Sequence, residues 1–174
     1  SGDRLFLTKP LGIAPAMAAY RLRKEQEGKE LLEGISEEVI DVAVNGAIEG
    51  MITSNKPVAE VMQKVHVHAA TDITGFGLKG HSENMARLSG VDIVIDKLWV
   101  IRGTPQLTDI FGYPLFSGES KETAGGILMA VAKENADNLQ SELEKRKVRY
   151  CEVGYVKEGP GEVHVLKDFK VIET

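Results

Sequence analysis

Apolar residues recur along this chain at two different spacings, and the change between them separates helical from extended segments. Ile40, Val44, Ala47, Ile48 and Met51 follow intervals of about three and four, which places side chains on one face of an α-helix. Ser36 precedes them as a hydroxyl cap, and Glu37 and Glu38 suit the positive end of that helix. Val58, Val61, Met62 and Val65 give the next stripe, with Asn55 as the expected cap and Pro57 in the first turn. Upstream, residues 14–27 are dominated by Ala, Arg, Lys and Glu and read as one helix. A helix from Phe76 to Leu88 is closed by Gly90. Thr104 caps a short one reaching Ile110, with Pro105 at its first position, and Ala136, Leu139 and Leu143 mark a last one.

The extended segments are shorter. Leu5–Thr8 is β-prone, Val91–Ile95 alternates and is β-branched, and Ile127–Val131 is a continuous apolar run behind two glycines. Residues 148–156 and 162–166 predict a closing antiparallel pair around the turn Glu158-Gly159-Pro160-Gly161. Residues 111–121, with Gly112, Pro114 and Gly118, read as loop. Helices gather early and strands late, so the pattern predicts one α+β domain over residues 1–174 rather than a doubly wound sheet.

Composition narrows the function classes. The net charge is -5, with acidic and basic residues interspersed. That excludes the basic stripe of a nucleic-acid surface. No apolar run approaches the roughly 20 residues of a membrane span. Cys151 is the one cysteine, so no internal disulfide forms, and the expected compartment is the cytoplasm.

The segment Ala69-Ala70-Thr71-Asp72-Ile73-Thr74-Gly75-Phe76-Gly77-Leu78-Lys79-Gly80-His81 carries the candidate chemistry. An acid and two threonines stand directly before two close glycines and an amphipathic helix. A helix start offers free N–H groups, glycines let backbone approach a ligand, and an aspartate can hold Mg²⁺, which prefers oxygen. The competing reading makes Asp72 or Thr74 an ordinary N-cap and Gly75 and Gly77 turn residues. Spacing alone does not choose between them. It does exclude a Walker loop, since no Gly-Lys-Ser/Thr follows, and a dinucleotide fingerprint, since the strand and glycine triplet are missing. His66, His68 and His81 lie near Asp72, and His-x-His can bind zinc, but a third ligand within tetrahedral reach is required.

The string Ala-Thr-Asp-Ile-Thr-Gly-Phe-Gly-Leu at residues 70–78, with Gly80-His81, resembles the signature of the selenophosphate synthetases (selenide, water dikinases). Gly2-Asp3 followed by Leu7-Thr8-Lys9-Pro10-Leu11-Gly12 is similar to the start of that family's second domain. Glu122-Thr123-Ala124-Gly125-Gly126-Ile127-Leu128 resembles its Glu-Thr-Ser-Gly-Gly-Leu-Leu block, and Gly154-Tyr155-Val156 its late strand. The resemblance runs from residue 2 to the end.

It implies a C-terminal domain of the type shared with aminoimidazole ribonucleotide synthetase, a mixed sheet of roughly four strands flanked by helices. The implied N-terminal domain, outside this chain, forms the homodimer and carries the reactive cysteine or selenocysteine, its lysine and most magnesium ligands. The implied reaction takes ATP, selenide and water to selenophosphate, AMP and phosphate. By motif Asp72 is then a Mg²⁺ ligand at the ATP phosphates, and Thr71, Thr74, Gly75 and Gly77 shape the ATP-binding loop. No catalytic residue carries over. Lys9 is expected to be exposed, Cys151 to be an inert packing residue, and Phe76 to be buried as the loop's anchor. Two departures stand out: Ile13-Ala14-Pro15 where the family continues Thr-Gly, and Ala124 where it has serine. They leave open a divergent phosphotransferase with another substrate; the non-enzyme alternative is a stand-alone binding module of the same fold.

Overall fold

The computed structural model describes all residues, 1–174. Its strands are β1 (Arg4–Leu7), β2 (Ala69–Asp72), β3 (Asp92–Val100), β4 (Ile127–Val131), β5 (Cys151–Lys157) and β6 (Val163–Glu173). The helices are α1 (Ile13–Leu22), α2 (Gln26–Leu31), α3 (Glu37–Ile52), α4 (Lys56–Met62), α5 (Gly77–Ser89), α6 (Thr104–Phe111) and α7 (Ala136–Lys145). The strands form one mixed sheet in the order β2-β4-β1-β5-β3-β6. The α+β class is therefore as predicted, with six strands where about four were implied.

Strand alternation gives the sheet two apolar faces. Leu5, Leu7, Leu128 and Ile95 pack with Leu78 and Met85 of α5. Phe6, Met129 and Val131 point the other way, onto Val58 and Val61 of α4 and Leu139 and Leu143 of α7. A third cluster joins α1, α3 and α6 through Ile13, Ala16, Ile40, Val44 and Leu107. In α3 the Ser36 hydroxyl accepts the Val39 N–H as predicted. Ile40, Val44 and Ala47 are buried, whereas Ile48, assigned to the same stripe, is partly exposed.

Several predicted elements are corrected. The helix over residues 14–27 is two, broken after Leu22, because Gly28 is drawn tightly against the Leu22 carbonyl; a Cβ there would lie 1.9 Å from that oxygen. Asn55 makes no cap bond; its Nδ2 donates to the Gly125 carbonyl at 2.9 Å. Thr104 is inside α6, where Gly103 occupies the N-cap at φ +83° and the Thr104 hydroxyl donates to Ile101 O. The closing hairpin does not form. β3 lies between β5 and β6, antiparallel to the first and parallel to the second. Asp92 causes this: its Oδ1 accepts the N–H groups of Gly161 (3.1 Å) and Glu162 (2.9 Å), so the turn wraps the end of β3 instead of folding back on β5.

Candidate functional site

The three sequence blocks, far apart in the chain, meet at one end of the sheet. Residues 122–126 are the hub. The Glu122 carboxylate accepts the Gly12 N–H at 2.8 Å and the Ile13 N–H at 3.0 Å, and so caps α1 from the far end of the sequence. Its backbone N–H donates to Thr74 O at 3.0 Å, and Ile73 N–H donates to Gly126 O at 2.9 Å. Lys9 reaches in from the end of β1, its ammonium donating to Thr53 O (2.7 Å) and Ala124 O (2.8 Å). Gly125 and Gly126 permit this crossing: a Cβ on the first would meet Ile73 O at 2.2 Å, and on the second Lys9 N at 2.5 Å.

Burial sets the charge states here. Glu122 is 4% exposed, and that lifts its carboxyl to about 7 although both backbone donors favour the ionised form. Lys9, expected to be exposed, is buried, which lowers its pKa. One compensation is its seat on Thr53 O, at the negative end of α3.

Asp72 is the last residue of the edge strand β2. It sits opposite Ile127 and shares a sheet face with Ile127 and Met129, which places it toward α4. Its carboxylate is exposed and has no hydrogen-bond or ion-pair partner. It borders a shallow depression of about 560 Å³ with Asn55, Lys56, Ala70 and Thr71. The Oδ1 of Asn55 is buried without a partner. The Thr71 hydroxyl donates to the Asp72 carbonyl at 3.2 Å. Neither Asp72 nor Thr74 caps α5: the residue at that position is Phe76, and no side chain bonds the helix start. The N-cap reading of both residues is thereby excluded.

The two glycines of the loop differ. Gly77 has φ +68°, and a Cβ there would lie 2.7–2.8 Å from backbone atoms of residues 118–120, so packing within the domain requires it. Gly75 faces open space. Phe76 is 71% exposed, against the expectation of a buried anchor. Gly80 lets it turn outward, since a Cβ there would meet Phe76 Cβ at 2.8 Å; its ring lies 5.6 Å from that of His81.

The histidines do not form a metal centre. His68 Nδ1 is 2.7 Å from Asp3 Oδ2, and His81 Nε2 contacts Thr74. His66 lies past the end of α4, its ring 5.2 Å from that of His68. A separate trio, Asp92, Glu162 and His164, has ligand atoms within 4.8 Å of one another. Asp92 is already committed there: Oδ1 takes the two turn N–H groups and Oδ2 takes His164 Nε2 at 2.8 Å. Those bonds, the Glu162 N–H foremost, hold its carboxyl at about 2. Cys151 is half-buried at the start of β5, and burial pushes its thiol up, which disfavours the reactive thiolate. No helix is long and apolar enough to cross a membrane.

Sequence reasoning placed Asp72, Thr71, Thr74, Gly75 and Gly77 on one loop leading into a helix; the structure keeps them together, with Thr71 and Asp72 ending the strand β2. It missed the contributions of Glu122, Lys9 and His81, whose partners are set by the tertiary fold. For Glu122 one signal was present: an acid leading directly into Thr-Ala-Gly-Gly and an apolar strand.

This strand–turn–helix unit, set on a six-stranded mixed sheet, places the chain in a known class. Residues 1–167 match the family model for the AIR synthase related protein, C-terminal domain, and the chain belongs to that family. Among curated proteins it is similar to the selenide, water dikinase of Methanocaldococcus jannaschii, with 46% identity over 99% of this chain and 51% of that protein. The selenide, water dikinase of Methanococcus maripaludis is 39% identical over 99% and 53%, and human selenide, water dikinase 2 is 35% identical over 99% and 40%. The chain thus spans about half the length of the curated relatives it matches most fully. In fold it is similar to the hydrogenase maturation protein HypE of E. coli (TM-score 0.70, 19% identity, 95% of this chain and 46% of that one). It is also similar to a thiamine-monophosphate kinase of Stenotrophomonas maltophilia (TM-score 0.68, 20% identity, 94% and 50%).

Proposed function

We propose that this chain is the C-terminal domain of a two-domain, cytoplasmic selenophosphate synthetase and forms one wall of its Mg²⁺–ATP site. The observation that carries this reading is the Asp72 carboxylate, unpaired and exposed at a strand end that residues 122–126 hold in place. An acid with no structural partner is free to meet a cation. The Thr71 hydroxyl, on the same depression, adds a hard oxygen atom, so these residues fit Mg²⁺ and neither suits a soft metal. Bound there, the ion would neutralise phosphate charge; Asp72 orients it and supplies negative charge from this side.

A single aspartate does not assemble a phosphoryl-transfer site, which depends on several positioned charges. The remaining ligands and the nucleophile therefore belong to an N-terminal domain, which also forms the homodimer. ATP, selenide and water would be the substrates, and selenophosphate, AMP and phosphate the products. The identity to proteins named selenide, water dikinase supports that choice of substrate.

The two departures from the family pattern are compatible with it. The hub uses the carbonyl of Ala124, which takes the Lys9 ammonium and which any residue retains. Ile13 opens α1, its N–H bound to Glu122 and its side chain buried. Both substitutions fall on scaffold. The test is ³¹P NMR of a full-length protein carrying this chain, supplied with ATP and selenide. Selenide-dependent formation of AMP and a selenophosphate signal is expected. ATP consumption indifferent to selenide would favour the divergent phosphotransferase, and no ATP consumption the binding module.

A further inference from the structure

His81 stands on α5 and faces back into the turn that follows Asp72. Its Nε2 lies 3.1 Å from the Thr74 backbone nitrogen and 3.0 Å from the Thr74 hydroxyl oxygen. A backbone N–H only donates, so Nε2 must present its lone pair, and the ring proton of the neutral imidazole sits on Nδ1. The geometry thus fixes one tautomer.

The rest of the turn is held by backbone alone. Ile73 N–H is bound to Gly126 O, and Thr74 O accepts the N–H groups of Gly77 and Glu122. The Thr74 N–H and hydroxyl are the donors of this turn that meet a side chain on the helix that follows, and both converge on His81 Nε2. His81 therefore couples the position of α5 to the turn carrying Asp72. Phe76, with its ring 5.6 Å away, covers one side of the imidazole.

We propose that His81 is a positioning residue for the cation-binding turn: as the Nδ1–H tautomer it accepts the Thr74 N–H and holds Asp72 in register with α5. This rests on the reading of Asp72 as a cation ligand. The role asks only for an acceptor at the reach of Nε2. A glutamine in its place keeps one, through Oε1, and an alanine does not.

The test uses a ¹⁵N-labelled full-length protein carrying this chain, with Mn²⁺ as a paramagnetic probe that reports binding through line broadening. Long-range ¹H–¹⁵N spectra should show His81 protonated at Nδ1. Exchange of the Thr74 amide should quicken about tenfold in His81→Ala, the change expected for losing one net hydrogen bond, and stay near wild type in His81→Gln. Mn²⁺ should broaden the resonances of residues 71–75 in the wild type, and His81→Ala should need several-fold more Mn²⁺ for the same broadening. His81→Gln serves as the folded control. A ring protonated at Nε2, or a Mn²⁺ titration unchanged in His81→Ala, overturns the positioning role and leaves Asp72 as a ligand. Absence of broadening near Asp72 in the wild type removes the cation reading itself, and the positioning role with it.

Discussion

The Glu122 carboxylate and the Gly12 N–H, 110 residues apart in sequence, meet at 2.8 Å at the start of α1. A buried acid here closes a helix end and joins two of the three sequence blocks that define the site. Its carboxyl is raised from the ordinary 4.5 to about 7, with burial as the main cause. Because the folded chain keeps a proton that the unfolded chain releases above pH ~4.5, this group's contribution is complete below that pH. It is lost as pH rises through about 7. The difference amounts to ~3 kcal/mol between the two limits. Unfolding measured from pH 4.5 to 8 should show a decline in the wild type that is absent in Glu122→Gln. Glutamine should also lower stability at low pH by ~1–3 kcal/mol, since its amide cannot accept both N–H groups.

Lys9 should be as sensitive. Replacing it with methionine keeps the aliphatic stem but strips Thr53 O and Ala124 O of their shared donor. A loss of ~1–3 kcal/mol is expected for these part-buried carbonyls. Urea unfolding of Lys9→Met measures it, and a change below about 0.5 kcal/mol, the range of ordinary surface substitutions, would show that the ammonium is not holding the hub.

The two loop glycines should separate. Gly77→Ala adds a methyl at φ +68° against backbone of residues 118–120. It should destabilise by roughly 2 kcal/mol or more through backbone strain and overpacking. Gly75→Ala meets nothing within 4 Å and should leave the melting temperature unchanged. If ATP approaches this turn, Gly75→Ala alone should weaken nucleotide binding in the full-length protein at constant stability. Unaltered binding there would place the nucleotide elsewhere.

Phe76→Ala should cost less than about 0.5 kcal/mol, the range for exposed positions, and far less than the ~3–5 kcal/mol of a buried phenylalanine. Thermal unfolding of the variant distinguishes the two values directly.

Much of the scaffold was legible in the sequence because its signals are local. Ser36 caps α3 through its own hydroxyl, and Gly90 ends α5 at φ +63°. What was not legible depends on partners distant in the chain. β2 is short and built from Ala-Ala-Thr-Asp, a poor β sequence, and exists because it pairs with β4. Its assignment as strand is what turns Asp72 from a plausible helix cap into an unpaired acid at a sheet edge. The turn at residues 158–161 looked like a hairpin, but Asp92, about 70 residues earlier, directs it around β3. Phe76 looked like an anchor between glycines, yet Gly80 lets it lie outward. The family resemblance located the three blocks; only the fold shows that they touch.

The most direct test of the account is Asp72→Asn in a full-length protein carrying this chain, measured for both melting temperature and selenide-dependent AMP formation. The Asp72 carboxylate bonds to nothing in the domain and caps no helix, so folding should be untouched. Removing its charge from a phosphate-bound cation should lower turnover on the order of a hundredfold or more. Wild-type turnover in Asp72→Asn, with the fold intact, would contradict the assignment of this aspartate as the domain's contribution to the Mg²⁺–ATP site.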